Sequence, residues 1–175
     1  MLVTGFAIFF GLLSSRHQKA ETEQTTFEEL RGFDVFIEKL SENAGYFEKW
    51  TGYTIDQHRY RARLGYQQNN LLFKLTKLEY LVELDVNMDR NPTNLMQFDG
   101  LTNLEILRIS EWYAPENLDG VQSLQNLQRL EIYDIESPDE LDLTALENHP
   151  TLEIVLIDGH ALSVASGFQE WEHDP

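Results

Sequence analysis

The chain has 175 residues, 42% of them hydrophobic and 25% charged, with 13 Lys and Arg against 30 Asp and Glu for a net charge of −17. That length and apolar fraction suit one soluble domain with a real core. The charge argues against non-specific nucleic-acid binding, which runs on cations, and the lack of cysteine removes disulfides, thiolate catalysis and Cys-based zinc sites.

Residues 2–13, LVTGFAIFFGLL, are uncharged and apolar, with Arg16, His17 and Lys19 just after them. A helical bilayer span needs roughly 20 such residues. The stretch therefore reads as an export or anchoring segment, as part of a longer anchor, or as a helix packed on the domain or on a partner. Export or membrane association is favoured over a cytoplasmic location, with a membrane contact through 2–13.

Residues 21–66 are expected to form a helical cap and a leading strand. Thr26-x-x-Glu29 has the form of a capping box, and Phe33, Phe36, Ile37 and Leu40 follow at helical spacing, ending near Asn43-Ala44-Gly45. RYRARLGY at 59–66 then alternates, with Arg59, Arg61 and Arg63 on one face and Tyr60, Ala62 and Leu64 on the other. This predicts a strand that opens a sheet.

From residue 67 to 165 the chain repeats. LTNLEILRIS at 101–110 returns as LQNLQRLEIY at 124–133. Leu78, Leu101 and Leu124 stand 23 apart, as do Leu81, Leu104 and Leu127, then Leu84, Leu107 and Leu130, then Val86, Ile109 and Ile132. Pro92, Pro115 and Pro138 keep the same spacing, as do Leu95, Leu118 and Leu141, and Phe98 aligns with Val121. A fourth copy, TLEIVLID at 151–158, comes 25 residues after the third. His149 falls near one of its Leu positions and reads as a boundary residue. Residues 166–175 form a tail in which Phe168 and Trp171 are available to close the far end of the core.

In each copy the last two apolar residues sit two apart, so both point to one face of a short strand. The expected strands lie near 83–87, 106–110, 129–133 and 154–158. One copy cannot bury its leucines alone, whereas stacked copies bury them in a shared core. The pattern LxxLxxLxI resembles the leucine-rich repeat family. The resemblance implies an α/β fold: a short right-handed solenoid with a parallel β-sheet on its concave face and a helical N-terminal cap. The family's Asn after the strand is replaced here by Asp89, Trp112, Ile135 and His160.

On such a sheet the residues between the apolar ones face outward in rows. The rows are Glu83, Ile106, Arg129, Ile154; then Asp85, Arg108, Glu131, Leu156; then Asn87, Ser110, Tyr133, Asp158. The middle row alternates in sign, which suits cross-strand pairing, and Arg61 and Arg63 should pair with Glu83 or Asp85. The expected partner-binding residues are Asp85, Arg108, Glu131, Asp158 and Leu156, with Tyr133, Trp112 and Tyr113 as aromatic anchors of the kind enriched at binding hot spots.

No metal or cofactor is expected. Asp85-x-Asn87-x-Asp89-x-Asn91 has Arg90 and Met96 where a calcium loop needs Gly and Glu. There is no Gly-rich phosphate loop and no nucleophile with a base beside it in sequence. The function class is therefore non-enzymatic protein binding, to a neutral or basic partner and not to nucleic acid. It is either an inhibitor or immunity-type protein, or an exported or anchored surface module similar to internalin-like repeat proteins.

Overall fold

The structure is a computed structural model and describes residues 2–33, 35–40, 59–88, 94–112 and 116–162. It is an α/β fold built on one open sheet of seven strands. The elements run α1 (Leu2–Gly32), β1 (Phe36–Leu40), β2 (Arg59–Leu64), a 3-10 turn at Tyr66–Leu71, α2 (Leu72–Leu75), β3 (Leu81–Asn87), β4 (Ile106–Ser110), β5 (Arg129–Ile132), β6 (Ile154–Ile157) and β7 (His160–Ala161). Strand order in space follows strand order in sequence. The pairs from β2 to β6 are parallel, and β1 and β7 close the edges antiparallel.

The four strands expected from the leucine phasing are present, within a residue or two of the predicted bounds. Their register is the predicted one: Glu83 pairs with Ile106, Ile106 with Arg129, and Arg129 with Ile154. The row Asp85, Arg108, Glu131, Leu156 is aligned in the same way. The inward positions Leu84, Leu107, Ile109, Leu130, Ile132 and Ile157 are fully or almost fully buried. Behind the strands the chain returns through 3-10 turns at Met96–Phe98, Val121–Ser123 and Thr144–Leu146. Each turn drops one side chain into the core, Phe98, Val121 and Leu146 in order.

Side chains tie each return segment to the previous one. Asn103 Nδ2 donates to the Glu79 carbonyl at 2.7 Å, and Asn126 Nδ2 donates to the Thr102 carbonyl at 2.8 Å. Thr151 Oγ1 continues the series to the Gln125 and Leu127 carbonyls, both at 2.9 Å. On the other flank, the side chains of Asn94, Asn117 and Asp142 each accept from the backbone N–H two residues on. This is the Asx-turn, in which a side chain stands in for a backbone carbonyl. A bridge between Asn117 and Asp142 puts the two extra residues of the third copy before Asp142. Leu143, rather than Leu141, is thus the counterpart of Leu118. Of the phased prolines only Pro138 lies in the described residues, opening a 3-10 turn of its own.

The N-terminal reading needs correction. Thr26-x-x-Glu29 does not start a helix, because α1 is already helical from Leu2. Its threonines satisfy themselves internally: Thr22 and Thr25 hydroxyls donate to the carbonyls four residues back, at 2.9 and 2.8 Å. Nor does a helix cover 36–40. These residues form β1 against β2, with Phe36 opposite Arg63 and Leu40 opposite Arg59. The spacing 33, 36, 37, 40 fits a helix, but Ile37 as the one buried residue of the five also fits an edge strand. Pairing with the open side of β2 decides between them. The segment near 43–45 and the tail with Phe168 and Trp171 lie outside the described residues.

α1 rests on the body through its second half. Leu30 and Phe27 are buried, with the Phe27 ring 5.8 Å from that of Tyr60. Glu23 is also buried and accepts from the Glu79 N–H at 3.0 Å. Lys19 pairs with Glu79 at 2.9 Å and Lys74 with Glu29 at 2.6 Å. Among the described residues no helix is long and apolar enough to cross a membrane.

Candidate functional site

The outward face of the sheet carries a continuous run of ion pairs. Arg61 contacts Glu38 on β1 at 3.1 Å and Glu83 on β3 at 2.6 Å. Arg63 reaches Asp85 at 3.0 Å. Arg108 reaches back to Asp85 and forward to Glu131, each at 3.1 Å. Arg129 closes on the other oxygen of Glu131, and the Tyr133 hydroxyl donates to Glu131 at 2.8 Å. The predicted pairing of Arg61 and Arg63 with β3 is therefore present. Glu38 was not anticipated, because its segment reads as a helix; it is the pairing of β1 with β2 that sets it opposite Arg61.

Four carboxylates (Glu38, Glu83, Asp85, Glu131) meet four guanidinium groups (Arg61, Arg63, Arg108, Arg129) in this network. The face is electrically balanced, and the excess negative charge lies elsewhere. Asp134, Glu136, Asp139, Glu140, Asp142, Glu147, Glu153 and Asp158 are all exposed, in a stretch without Lys or Arg.

Glu131 is only 4% exposed. Burial alone pushes its carboxyl up; the hydrogen bonds from Arg129 and Tyr133, with the charges of Arg108 and Arg129, outweigh that and hold it below its ordinary value. The Tyr133 phenol is pushed up, first by burial and then by the carboxylate it serves. For Arg108, burial works against the charge, and the carboxylates of Asp85, Glu131 and Glu83 overcome it.

Several expected binding residues take other places. Trp112 is not an exposed anchor: it is fully buried, because the position after β4 turns inward, as does Ile135 after β5. Glu131 is not an open acidic group but the covered hub of the network. Asp158 is exposed, yet its carboxylate accepts from the Asp134 N–H at 2.7 Å and so braces the neighbouring turn. Asp85, Arg108, Tyr133 and Leu156 do share the face and are partly exposed, with Ile154 39% exposed beside Leu156. Tyr113 lies outside the described residues.

His149 is structural, as expected of a boundary residue. It is buried, its Nε2 lies 3.2 Å from the Val121 carbonyl, and its Nδ1 lies 3.4 and 3.2 Å from the Thr151 and Leu152 N–H groups. Only a neutral ring protonated at Nε2 makes all three bonds. Burial lowers its pKa from the ordinary value of 6.5.

Two further clefts are present, the second of them at the network. One of about 440 Å³ lies between α1 and the turns at 76–81 and 100–103. The other, of about 570 Å³, opens at the C-terminal ends of β2, β3 and β4, between Phe36, Arg63, Asp85, Asn87, Ser110 and Tyr133. Asn87, named above only as a member of an outward row, has a buried side-chain oxygen with no hydrogen-bond partner. Among the described residues no three His, Asp or Glu side chains converge as a metal site would require. No protein-family model matches the chain, and no curated protein or solved structure does.

Proposed function

We propose that the chain is a short leucine-rich-repeat solenoid that binds another protein, without catalysis, through the outward face of its parallel sheet, which is the concave face in this reading. The observation that carries it is the ion-paired row Arg63, Asp85, Arg108, Glu131 and Arg129, with Tyr133, Ile154 and Leu156 partly exposed beside it. Side chains fixed before binding lose less entropy on binding. A polar platform with an aromatic and an aliphatic edge has the make-up of a protein interface.

The balanced charge of the face suits a neutral contact surface on the partner. The exposed acids from Asp134 to Asp158 would speed the approach of a basic one without entering the contact. An inhibitor or immunity-type role fits this division. The exported or anchored, internalin-like reading is favoured by the apolar run 2–13 at the start of α1.

The test is capture of partners on the immobilised chain, followed by binding kinetics with each captured protein. Tyr133→Ala and Leu156→Ala should speed dissociation, by a factor corresponding to about 1–2 kcal/mol each, with melting unchanged enough to show an intact fold. Binding that is indifferent to both substitutions would move the interface off this face.

A further inference from the structure

His149 stands at the place that Leu78, Leu101 and Leu124 hold in the earlier copies. In those copies the N–H three residues on goes to the carbonyl of that same residue: Leu81 to Leu78 at 3.0 Å, Leu104 to Leu101 at 3.1 Å and Leu127 to Leu124 at 2.8 Å. In the last copy the corresponding N–H, that of Leu152, goes to the His149 side chain instead, at 3.2 Å from Nδ1, with the Thr151 N–H beside it at 3.4 Å. A ring nitrogen has taken over a turn bond that main chain makes elsewhere. The other nitrogen reaches back to the third copy, where Nε2 lies 3.2 Å from the Val121 carbonyl.

The exchange makes the last turn answer to acid. A backbone carbonyl accepts whatever the pH. Nδ1 accepts only while the ring is neutral, and a proton there aims a third N–H at the two already present. It also places a charge on a side chain that is 9% exposed. The groups that face the ring are neutral: the backbone of Val121 and Leu124 from the third copy, and the N–H groups of Thr151 and Leu152 from the lead into β6. Glu147 on its own turn, Glu153 before β6 and Asp119 before the 3-10 turn at Val121–Ser123 are exposed, and none of them pairs with the ring. A cation formed there gains no counter-ion in the folded state.

The last copy is also the one that opens at least cost. Among the described residues β6 has β5 on one side and only the two-residue β7 on the other. A terminal repeat leans on a single neighbour, and ends of a stack open before its middle.

We propose that His149 is an acid-sensitive latch on the last copy: when its ring takes up a proton, residues 149–162 come away from the third copy as a unit, ahead of the rest of the sheet, and carry Ile154 and Leu156 with them. The latch follows from the fold; that its opening withdraws the aliphatic edge of a binding platform rests on the protein-binding reading above.

Hydrogen exchange of the full chain, read by NMR at pH 7.5 and 5.5 and corrected for intrinsic rates, tests the latch without a partner. The reporters are the amides of Ile154, Asp158 and Leu162, with those of Glu105 and Tyr133 as references in the earlier copies. The reporters should be less protected than the references at both pH values. Their protection should fall about tenfold between pH 7.5 and 5.5, the change expected when one group of ordinary pKa 6.5 protonates in the open form alone. His149→Gln should remove that fall, while His160→Gln, at the exposed histidine of β7, should leave it in place. If the last copy of His149→Gln is already open at pH 7.5, the ring ¹⁵N shifts of the unaltered chain decide: a neutral ring protonated at Nε2 is expected there, and a charged ring or one protonated at Nδ1 overturns the proposal. So does protection that stays level between the two pH values, a fall that His160→Gln abolishes, or a last copy that exchanges in step with Glu105 and Tyr133 and so opens only with the whole molecule. A latch that fails here leaves the platform standing, since the kinetics with Tyr133→Ala and Leu156→Ala test that separately.

Discussion

Glu131 shows how far a single side chain can depart from its place in a pattern. In a row of alternating charges it reads as an exposed acid, and in the fold it is buried beneath Arg108, Arg129 and Tyr133. Removing it strands two guanidinium groups, each about one-third exposed, so water recovers part of the loss. Glu131→Ala should cost about 1–3 kcal/mol in a denaturant titration, more than alanine at the more exposed Glu38. Because the folded state lowers its pKa, the stability Glu131 contributes is present above its ordinary value of 4.5 and is lost as pH falls through the folded value. His149 acts in a different window. Its folded pKa is also depressed, so the unfolded chain takes up the proton first, and stability falls as pH drops below 6.5. His149→Gln should flatten the decline of the unfolding midpoint just below that pH while leaving the steeper fall near 4.5 in place; an unchanged slope would mean that the ring is not held neutral.

At the scale of elements, the strands of the repeats were legible and the first strand was not. β3 to β5 announce themselves because an apolar residue at every second place recurs with a 23-residue phase, with β6 following after 25, and parallel strands in one register satisfy both periods at once. FIEKL at 36–40 lacks the second period, so helix and strand fit it equally until β2 offers an edge. The candidate site divides along the same line. The pairing of Arg61, Arg63, Asp85 and Arg108 follows from the register alone. Whether Trp112 faces in or out depends on the turn after β4, and no repeat of residue type marks that turn, since its counterparts are Ile135 and His160. The rungs at Asn103 and Asn126, by contrast, stand in the two nearly identical stretches and tie successive return segments together. One turn tests this element-level view sharply. Gly120 has φ +100°, and a Cβ there would lie 2.6 Å from the backbone of Leu95 and Met96. Gly120→Ala should destabilise by more than about 1 kcal/mol, combining left-handed strain with a clash against main chain, whereas Gly32→Ala, with open space around its Cβ site, should not.

Over the whole molecule the charge is divided by region. The sheet face neutralises itself over short distances, while the eight exposed acids from Asp134 to Asp158 have no base in their stretch of chain. Salt screens separated exposed charges more than contacting, partly buried pairs. Raising ionic strength from low values should therefore raise the melting temperature at neutral pH, by relieving repulsion faster than it weakens the pairs. A fall in melting temperature with salt would mean that the ion-paired face dominates stability.

The sequential order of the strands also sets how the molecule would yield to force. Within the sheet, each of the inner strands pairs only with the one before it and the one after it in the chain. Pulled apart by its two ends, the sheet should peel from an edge, one strand at a time, like a zip rather than a clamp. Each parallel strand that lets go would release about 23 residues, or roughly 80 Å of slack at full extension, so a stretching trace should show a staircase of even, low steps in place of a single tall rupture.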